Sequence, residues 1–232
     1  PLFRSITKWA GTGWQTTRLA ETIAVAIRHA FDGRGGPVFL DVPMDVQVDQ
    51  VQESEVVFPV GPGTNRAAGA STTVLAEIAG LLRSAERPVV FGGGGLHPES
   101  GAMSSLAETI GAPTFLSGRS RGGMPHGHRL LGSHSRSLCL AQADVILALG
   151  VDWDFRTSFG RTIPETAKVI HVDADATRIG WNRLPHIGVV ADPAAVVGQL
   201  LDEQFSPREE WIETFLGLEE AVVTVAGRQH DD

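Results

Sequence analysis

The stretch Arg87-Pro-Val-Val-Phe-Gly-Gly-Gly-Gly-Leu-His-Pro-Glu-Ser-Gly101 decides the fold. Its apolar run from Pro88 to Phe91 stops at four glycines. Pro98 then stands where a first helical turn begins, since its fixed φ suits that position and its missing N–H is no loss there. Leu106, Ala107 and Ile110 follow on one helical face, and Gly111 ends it. Buried strand, glycine turn and helix N-terminus together make an anion-binding corner, with backbone N–H groups pointing outward and the helix dipole favouring negative charge. Neither Gly92-x-Gly94 nor Gly93-x-Gly95 is followed by a third glycine at the spacing of the dinucleotide fingerprint. Two readings stand side by side: a tight strand-to-helix turn, or a phosphate-binding loop.

Outward from this stretch, strands and helices alternate. Ser71 or Thr72 caps a helix whose apolar positions Val74, Leu75, Ile78, Leu81 and Leu82 keep a 3.6-residue period. Pro113–Leu116, Asp144–Gly150, Lys168–Val172 and Ile187–Val190 read as strands, and Ser135–Gln142 and Pro193–Leu201 as helices, the latter capped by Asp192. Such alternation specifies right-handed crossovers and a parallel sheet covered on both faces, a doubly wound α/β fold. Upstream, Thr16 or Thr17 caps a helix running to about Phe31, and Pro37–Val42 has the composition of a strand buried on both faces. One helix and one strand cannot bury a core alone, so residues 1–47 must pack on other material. Residues 48–69 dissolve into Gln, Glu, Pro and Gly and read as a linker. Ser206 and Pro207 open a last helix to residue 226, with Trp211, Phe215, Leu218 and Val222 in a stripe that has no evident partner. The tail from Gly227 reads as disordered. The expected organisation is 1–47, linker 48–69, main domain 70–202, and a helix and tail over 203–232.

Composition bounds the function. A net charge of -8 over 232 residues leaves no basic stripe for nucleic acid. No apolar run approaches the roughly 20 residues that span a bilayer, so no membrane partner is expected. The single cysteine, Cys139, excludes an intramolecular disulfide and fits a reducing cytoplasm. The N-terminal Pro-Leu-Phe-Arg-Ser-Ile lacks both a signal-peptide form and an initiating Met, and reads as the middle of a longer protein.

Several motifs together resemble the thiamine-diphosphate enzymes of the acetolactate synthase, oxalyl-CoA decarboxylase and 2-hydroxyacyl-CoA lyase group. Ile6-Thr-Lys-Trp-Ala10 and Gly36-Pro-Val-Phe-Leu-Asp-Val-Pro-Met-Asp45 resemble the end of that family's N-terminal, pyrimidine-binding domain. Arg87 to Gly95 with Ser100-Gly-Ala102, then Gln142 to Gly150, Val172-Asp-Ala-Asp175 and Ile179-Gly-Trp-Asn-Arg183, resemble its Rossmann-like central domain. The resemblance implies a parent enzyme that uses thiamine diphosphate and Mg²⁺ to make or break a carbon–carbon bond beside a carbonyl. It also implies a 2-keto acid or acyl-CoA substrate, and a homodimer or homotetramer. The family's activating glutamate lies upstream of residue 1, and its Gly-Asp-Gly…Asn motif lies in a third domain; Asp32-Gly33 lacks the preceding glycine. The resemblance therefore implies a central-domain fragment, inert alone, whose partner is the rest of the same polypeptide. An acetolactate synthase-like parent is the first reading. A 2-hydroxyacyl-CoA lyase or oxalyl-CoA decarboxylase is the second, and a non-catalytic nucleotide-binding or scaffolding module the third.

The family's central domain sometimes binds FAD or ADP, which would lie at the carboxyl ends of the strands near a topological switch point. Gly93, Gly94, Gly95, Arg121, Asp152, Asp173 and Asp192 are the candidate contacts there. Asp173 also reads as a turn former, and Asp192 as a helix cap. Where the family often has Gly-x-Arg, this chain has Gly150-Val-Asp152, which reverses the local charge; Arg156 lies four residues further on. The spacing to Phe159-Gly160 resembles the hydroxyacyl-CoA lyase version of the loop. Arg119, Arg121 and Gly122 resemble the family's Lys/Arg-Gly loop and read equally as a solvated turn. His126, His128 and His134 lack a carboxylate or cysteine at zinc spacing. Cys139 reads as a buried hydrophobe, and Trp9 and Trp14 as packing anchors.

Overall fold

The computed structural model describes residues 2–59, 68–97, 99 and 101–228. The chain divides into two compact units, 1–66 and 67–232.

The first unit holds two parallel strands, β1 (Trp9–Thr12) and β2 (Val38–Asp41), paired from Trp9 opposite Val38 to Thr12 opposite Asp41. They are linked through helix α1 (Leu19–Phe31), and a short α2 (Met44–Val48) follows. Three expectations are corrected here. Neither Thr16 nor Thr17 caps α1: a 3-10 turn over Thr16–Arg18 precedes it, and the Thr16 hydroxyl instead donates to Asp49 at 2.8 Å. The strand β2 is half-buried rather than covered on both faces. Trp14 is 76% exposed and anchors nothing, whereas Trp9 stacks on His29 with centroids 5.8 Å apart. The linker segment 60–67 lies outside the described residues.

The second unit is a six-stranded, wholly parallel sheet of β3 (Pro88–Gly92), β4 (Thr114–Leu116), β5 (Leu131–Gly132), β6 (Val145–Leu149), β7 (Lys168–Asp173) and β8 (Ile187–Val190). Their order is β5-β4-β3-β6-β7-β8. Alternation along each strand sorts side chains between two cores. Val90, Leu147 and Ile170 face helices α3 (Thr72–Ser84), α4 (Ala102–Ile110) and α6 (Pro193–Leu201). Val89, Phe91, Ile146 and Val169 face α5 (Arg136–Gln142) and α7 (Glu209–Arg228). Ser71 caps α3, accepting from the Val74 N–H.

Two boundaries differ from the sequence reading, that of α4 and that of α7, which begins at Glu209 and not at Ser206–Pro207. Helix α4 starts at Ala102 behind Gly101, whose φ of 80° sets a left-handed N-cap; Pro98 itself lies outside the described residues. The stripe on α7 does have a partner in this chain. Trp211 and Phe215 are buried against β3 and β4, with the Trp211 indole N–H donating to the Pro88 carbonyl at 2.9 Å and Phe215 edge-on to Phe115. The last four tail residues lie outside the described residues.

Candidate functional site

The chain winds outward from β3 to β5, then crosses back to β6 and proceeds to β8. The topological switch point therefore falls between β3 and β6, and the loops after these two strands flank it. Backbone contact governs their geometry. The Gly93 N–H donates to the Leu149 carbonyl at 2.9 Å, and the Gly95 N–H to the Gly150 carbonyl at 2.8 Å. A methyl at Gly93 would stand 2.3 Å from the Gly150 carbonyl oxygen, and one at Gly150 would stand 2.4 Å from Gly95. Gly150 also needs its φ of +62°, open to glycine without penalty. The glycine run thus permits two turns to touch, while Gly94 has nothing within 4 Å of a methyl placed there.

A third loop closes against these. The Ser120 hydroxyl donates to the Gly92 carbonyl at 2.9 Å, and Arg119 Nε to the Gly94 carbonyl at 3.0 Å. Beside Arg119 stands His97, whose pKa is lowered by burial and by the Arg119 charge, against an opposing pull from Asp192. The Asp192 carboxylate accepts from the Ala194 N–H at 2.9 Å and so caps α6. Asp173 is fully buried and accepts from the Asp175 N–H at 2.9 Å. Asp152, the residue that reverses the charge after Gly150, meets Arg178 at 3.5 Å; Arg178 also approaches Asp175 at 3.9 Å.

The loop after β6 is held in an uncommon conformation. Ser158 and Phe159 have φ of 51° and 55°, a region that costs about 1–2 kcal/mol for a residue with a side chain. Asp154 over-determines it: its side chain accepts from the Arg156 N–H and guanidinium, and its carbonyl accepts from the Thr157 and Phe159 N–H groups. The Arg156 hydrogen bond holds the Asp154 carboxyl below its ordinary value. From the loop after β7, Asn182 donates to the Trp153 carbonyl at 2.7 Å and Arg183 to the Pro164 carbonyl at 2.7 Å, bracing this loop from behind. None of these braces was singled out by sequence reasoning, because each joins residues 19 or more positions apart.

The structure thus brings Gly93, Gly94, Gly95, Asp152, Asp173, Asp192 and Arg121 to one edge of the sheet. Asp192 and Asp173 are each engaged in their own turn or cap. Among the described residues no three His, Cys, Asp or Glu side chains converge as a metal site needs; His128 pairs with Glu108 at 3.1 Å. Cys139 is buried on α5, and burial pushes its thiol up to about 11.

A six-stranded parallel sheet wound in two directions from a central pair, with glycine loops at the switch point, defines the class of Rossmann-like α/β domains. A model of the thiamine pyrophosphate enzyme central domain matches residues 75–200, and the chain belongs to that family. It is 34% identical over 203 residues to the acetolactate synthase isozyme 1 large subunit of Escherichia coli (strain K12), covering 83% of this chain and 36% of the relative. It is 29% identical over 229 residues to a probable acetolactate synthase large subunit of Methanocaldococcus jannaschii, covering 91% of this chain and 39% of that one. A probable acetolactate synthase 2, chloroplastic, of Oryza sativa subsp. japonica is 31% identical over 199 residues, covering 82% and 30%. The chain spans between 30% and 39% of the length of these curated relatives. Among the described residues no helix is long and apolar enough to cross a membrane.

Proposed function

We propose that this chain is part of an acetolactate synthase-like enzyme that decarboxylates a 2-keto acid and joins the remaining fragment to a second carbonyl. The observation that carries the reading is that matches to acetolactate synthases extend over both compact units, not over the central-domain segment alone. Thiamine diphosphate, held with Mg²⁺ outside the described residues, supplies the electron sink for such a reaction. In this reading residues 1–47 end the pyrimidine-binding domain, 48–69 are a linker, 70–202 form the central domain, and 203–232 lead to a diphosphate-binding domain. In this reading the second unit supplies a rigid parallel sheet. The enzyme is a homodimer or homotetramer, and the single reduced, buried Cys139 supports a cytoplasmic setting.

A second reading concerns the same edge. The position of Gly93–Gly95, Asp152, Asp173 and Asp192 around the switch point supports a nucleotide such as FAD or ADP, with Arg121 and the open Gly94 nearest in kind to phosphate contacts. Asp152, paired with Arg178, weakens it by standing where a cation would help.

The test is to express the whole gene product and supply thiamine diphosphate, Mg²⁺ and pyruvate. Formation of a 2-hydroxy-2-methyl-3-keto acid supports the proposal. Inertness toward 2-keto acids with cleavage of a 2-hydroxyacyl-CoA thioester would move the chain to the lyase reading. The 232-residue chain alone is expected to turn over neither.

A further inference from the structure

Helix α7 is fastened unevenly along its length. Just before it, Arg208 donates to the Ala85 carbonyl behind α3 and to the Ile110 carbonyl that ends α4. In its first turns Trp211, Ile212 and Phe215 are buried, and the Trp211 indole N–H is bound to Pro88. Beyond Phe215 the burial falls away. Leu216, Gly217, Glu220 and Val223 are exposed, while Leu218 and Val222 are half-buried.

What holds this second half is Glu219. Its Oε1 accepts from the N–H groups of Ser133, His134 and Ser135 at 3.0, 3.1 and 2.9 Å, and from the Ser135 hydroxyl at 2.7 Å. These donors form the turn that joins the edge strand β5 to α5, so one carboxylate ties the far half of α7 to both elements. Ser135 is fully buried, so its N–H and hydroxyl rely on that carboxylate rather than on water. Between the buried half and the carboxylate stands Gly217. Its φ is not left-handed, and a methyl placed there would meet nothing within 4 Å, so neither conformation nor packing calls for glycine. Glycine is the poorest helix former after proline, and α7 is therefore weakest where its burial ends.

We propose that α7 is a hinged strap. Its second half swings about Gly217 while its first half stays in the core, and Glu219 is the latch that closes it on Ser133–Ser135. Opening breaks the hydrogen bonds of one carboxylate and uncovers little apolar surface, so it requires far less free energy than unfolding the sheet. Release frees the turn between β5 and α5 and loosens that edge of the sheet, with β3 and β6 undisturbed.

Native-state hydrogen exchange of the 232-residue chain at low denaturant tests this. The amides of Ser133, His134 and Ser135 and those of residues 220–224 are expected to share one opening equilibrium, hardly moved by denaturant and far more populated than the opening of β3 and β6. Glu219→Ala should raise the opening of residues 220–224 about tenfold, as loss of a charge-assisted hydrogen bond does. Gly217→Ala should lower the opening of both segments about fivefold, since alanine resists the bend. Should Glu219→Ala fail to fold, Glu219→Gln, which keeps an uncharged acceptor oxygen, should shift exchange the same way by less. Exchange of the Ser133–Ser135 amides only together with β6 in the unaltered chain overturns the strap, because α7 then opens only with the whole unit. A Gly217→Ala chain that exchanges like its parent also overturns it, since the helix then lifts as a rigid rod. Residues 220–224 unmoved by loss of the Glu219 carboxylate would mean a fraying helix end and no latch.

Discussion

At the scale of single residues, the glycine run separates close approach from mere flexibility. Gly150→Ala adds a methyl 2.4 Å from the Gly95 backbone at a φ of +62°, so overpacking and left-handed strain together should lower stability by about 2–4 kcal/mol. Gly93→Ala, crowded but without a φ in the left-handed range, should lose about 1–3 kcal/mol. Gly94→Ala, whose methyl would enter open space, should stay within about 0.5 kcal/mol of the parent. Urea midpoints of the three variants measure this directly, and a large loss at Gly94 would contradict the packing described. Cys139 gives a second expectation. With its thiol pushed up to about 11 by burial, it should resist disulfide reagents at pH 8 until the chain is unfolded. These residue-scale features were half legible beforehand. A run of glycines after an apolar strand announces a tight turn, but whether its N–H groups face a ligand or a neighbouring strand depends on β6, which lies over 50 residues away.

At the scale of elements, two side chains fasten helices that would otherwise end unsatisfied. Arg208, just before α7, donates to the carbonyls of Leu82 and Arg83 in the last turn of α3, of its C-cap Ala85, and of Ile110 at the end of α4. It thereby completes two helix C-termini with a positive charge, as the macrodipole favours. Arg208→Met should cost about 2–4 kcal/mol by leaving these carbonyls unpaired, and Arg208→Lys should recover little, since one ammonium cannot span them. Glu219 does the reverse at the start of α5, accepting from three N–H groups and the Ser135 hydroxyl. Burial tends to raise the Glu219 pKa, but the Ser135 hydroxyl and the backbone donors outweigh it and hold the carboxyl below its ordinary value. A depressed folded-state pKa means that this stabilisation is complete above the ordinary carboxylate range and fades as acid protonates the group. Glu219→Gln should therefore cost about 1 kcal/mol at neutral pH and flatten the acid limb of a stability–pH curve; an unchanged limb would assign acid sensitivity elsewhere. The longer strands of the second unit were legible because uninterrupted runs such as Val145–Leu149 can only be buried on both faces, whereas the two-residue β5 at the sheet edge carries no run at all. Trp9–Thr12 was not, since Trp-Ala-Gly-Thr carries neither an apolar run nor alternation. Nor was the seat of α7: its stripe was visible, but its partner, the Phe91–Phe115 face, only exists once the sheet is assembled.

At the scale of the molecule, the two units differ in how much apolar surface they remove from water. The second unit buries two layers, including Ile78, Phe91, Leu106, Phe115, Leu147 and Phe215 at 2% exposure or less. Among the described residues the first unit buries only Ala24, Ala26 and Val46 of its hydrophobic side chains, while Ile23, Ile27 and Phe31 on α1 remain 38–72% exposed. Since stability follows buried apolar area, opening of the first unit should require far less free energy than opening of the sheet. Native-state hydrogen exchange at rising denaturant tests this amide by amide. Amides in β3, β6 and β7 should exchange only through global unfolding, whereas those of α1 and the β1–β2 pair should exchange through local opening that denaturant hardly accelerates. If α1 proves as protected as β6, the thin core seen here is not what holds the first unit together. A partner covering Ile23, Ile27 and Phe31 should raise the protection of α1 selectively and leave β6 at its former value. Comparing the 232-residue chain with the whole gene product would distinguish such cover from intrinsic stability.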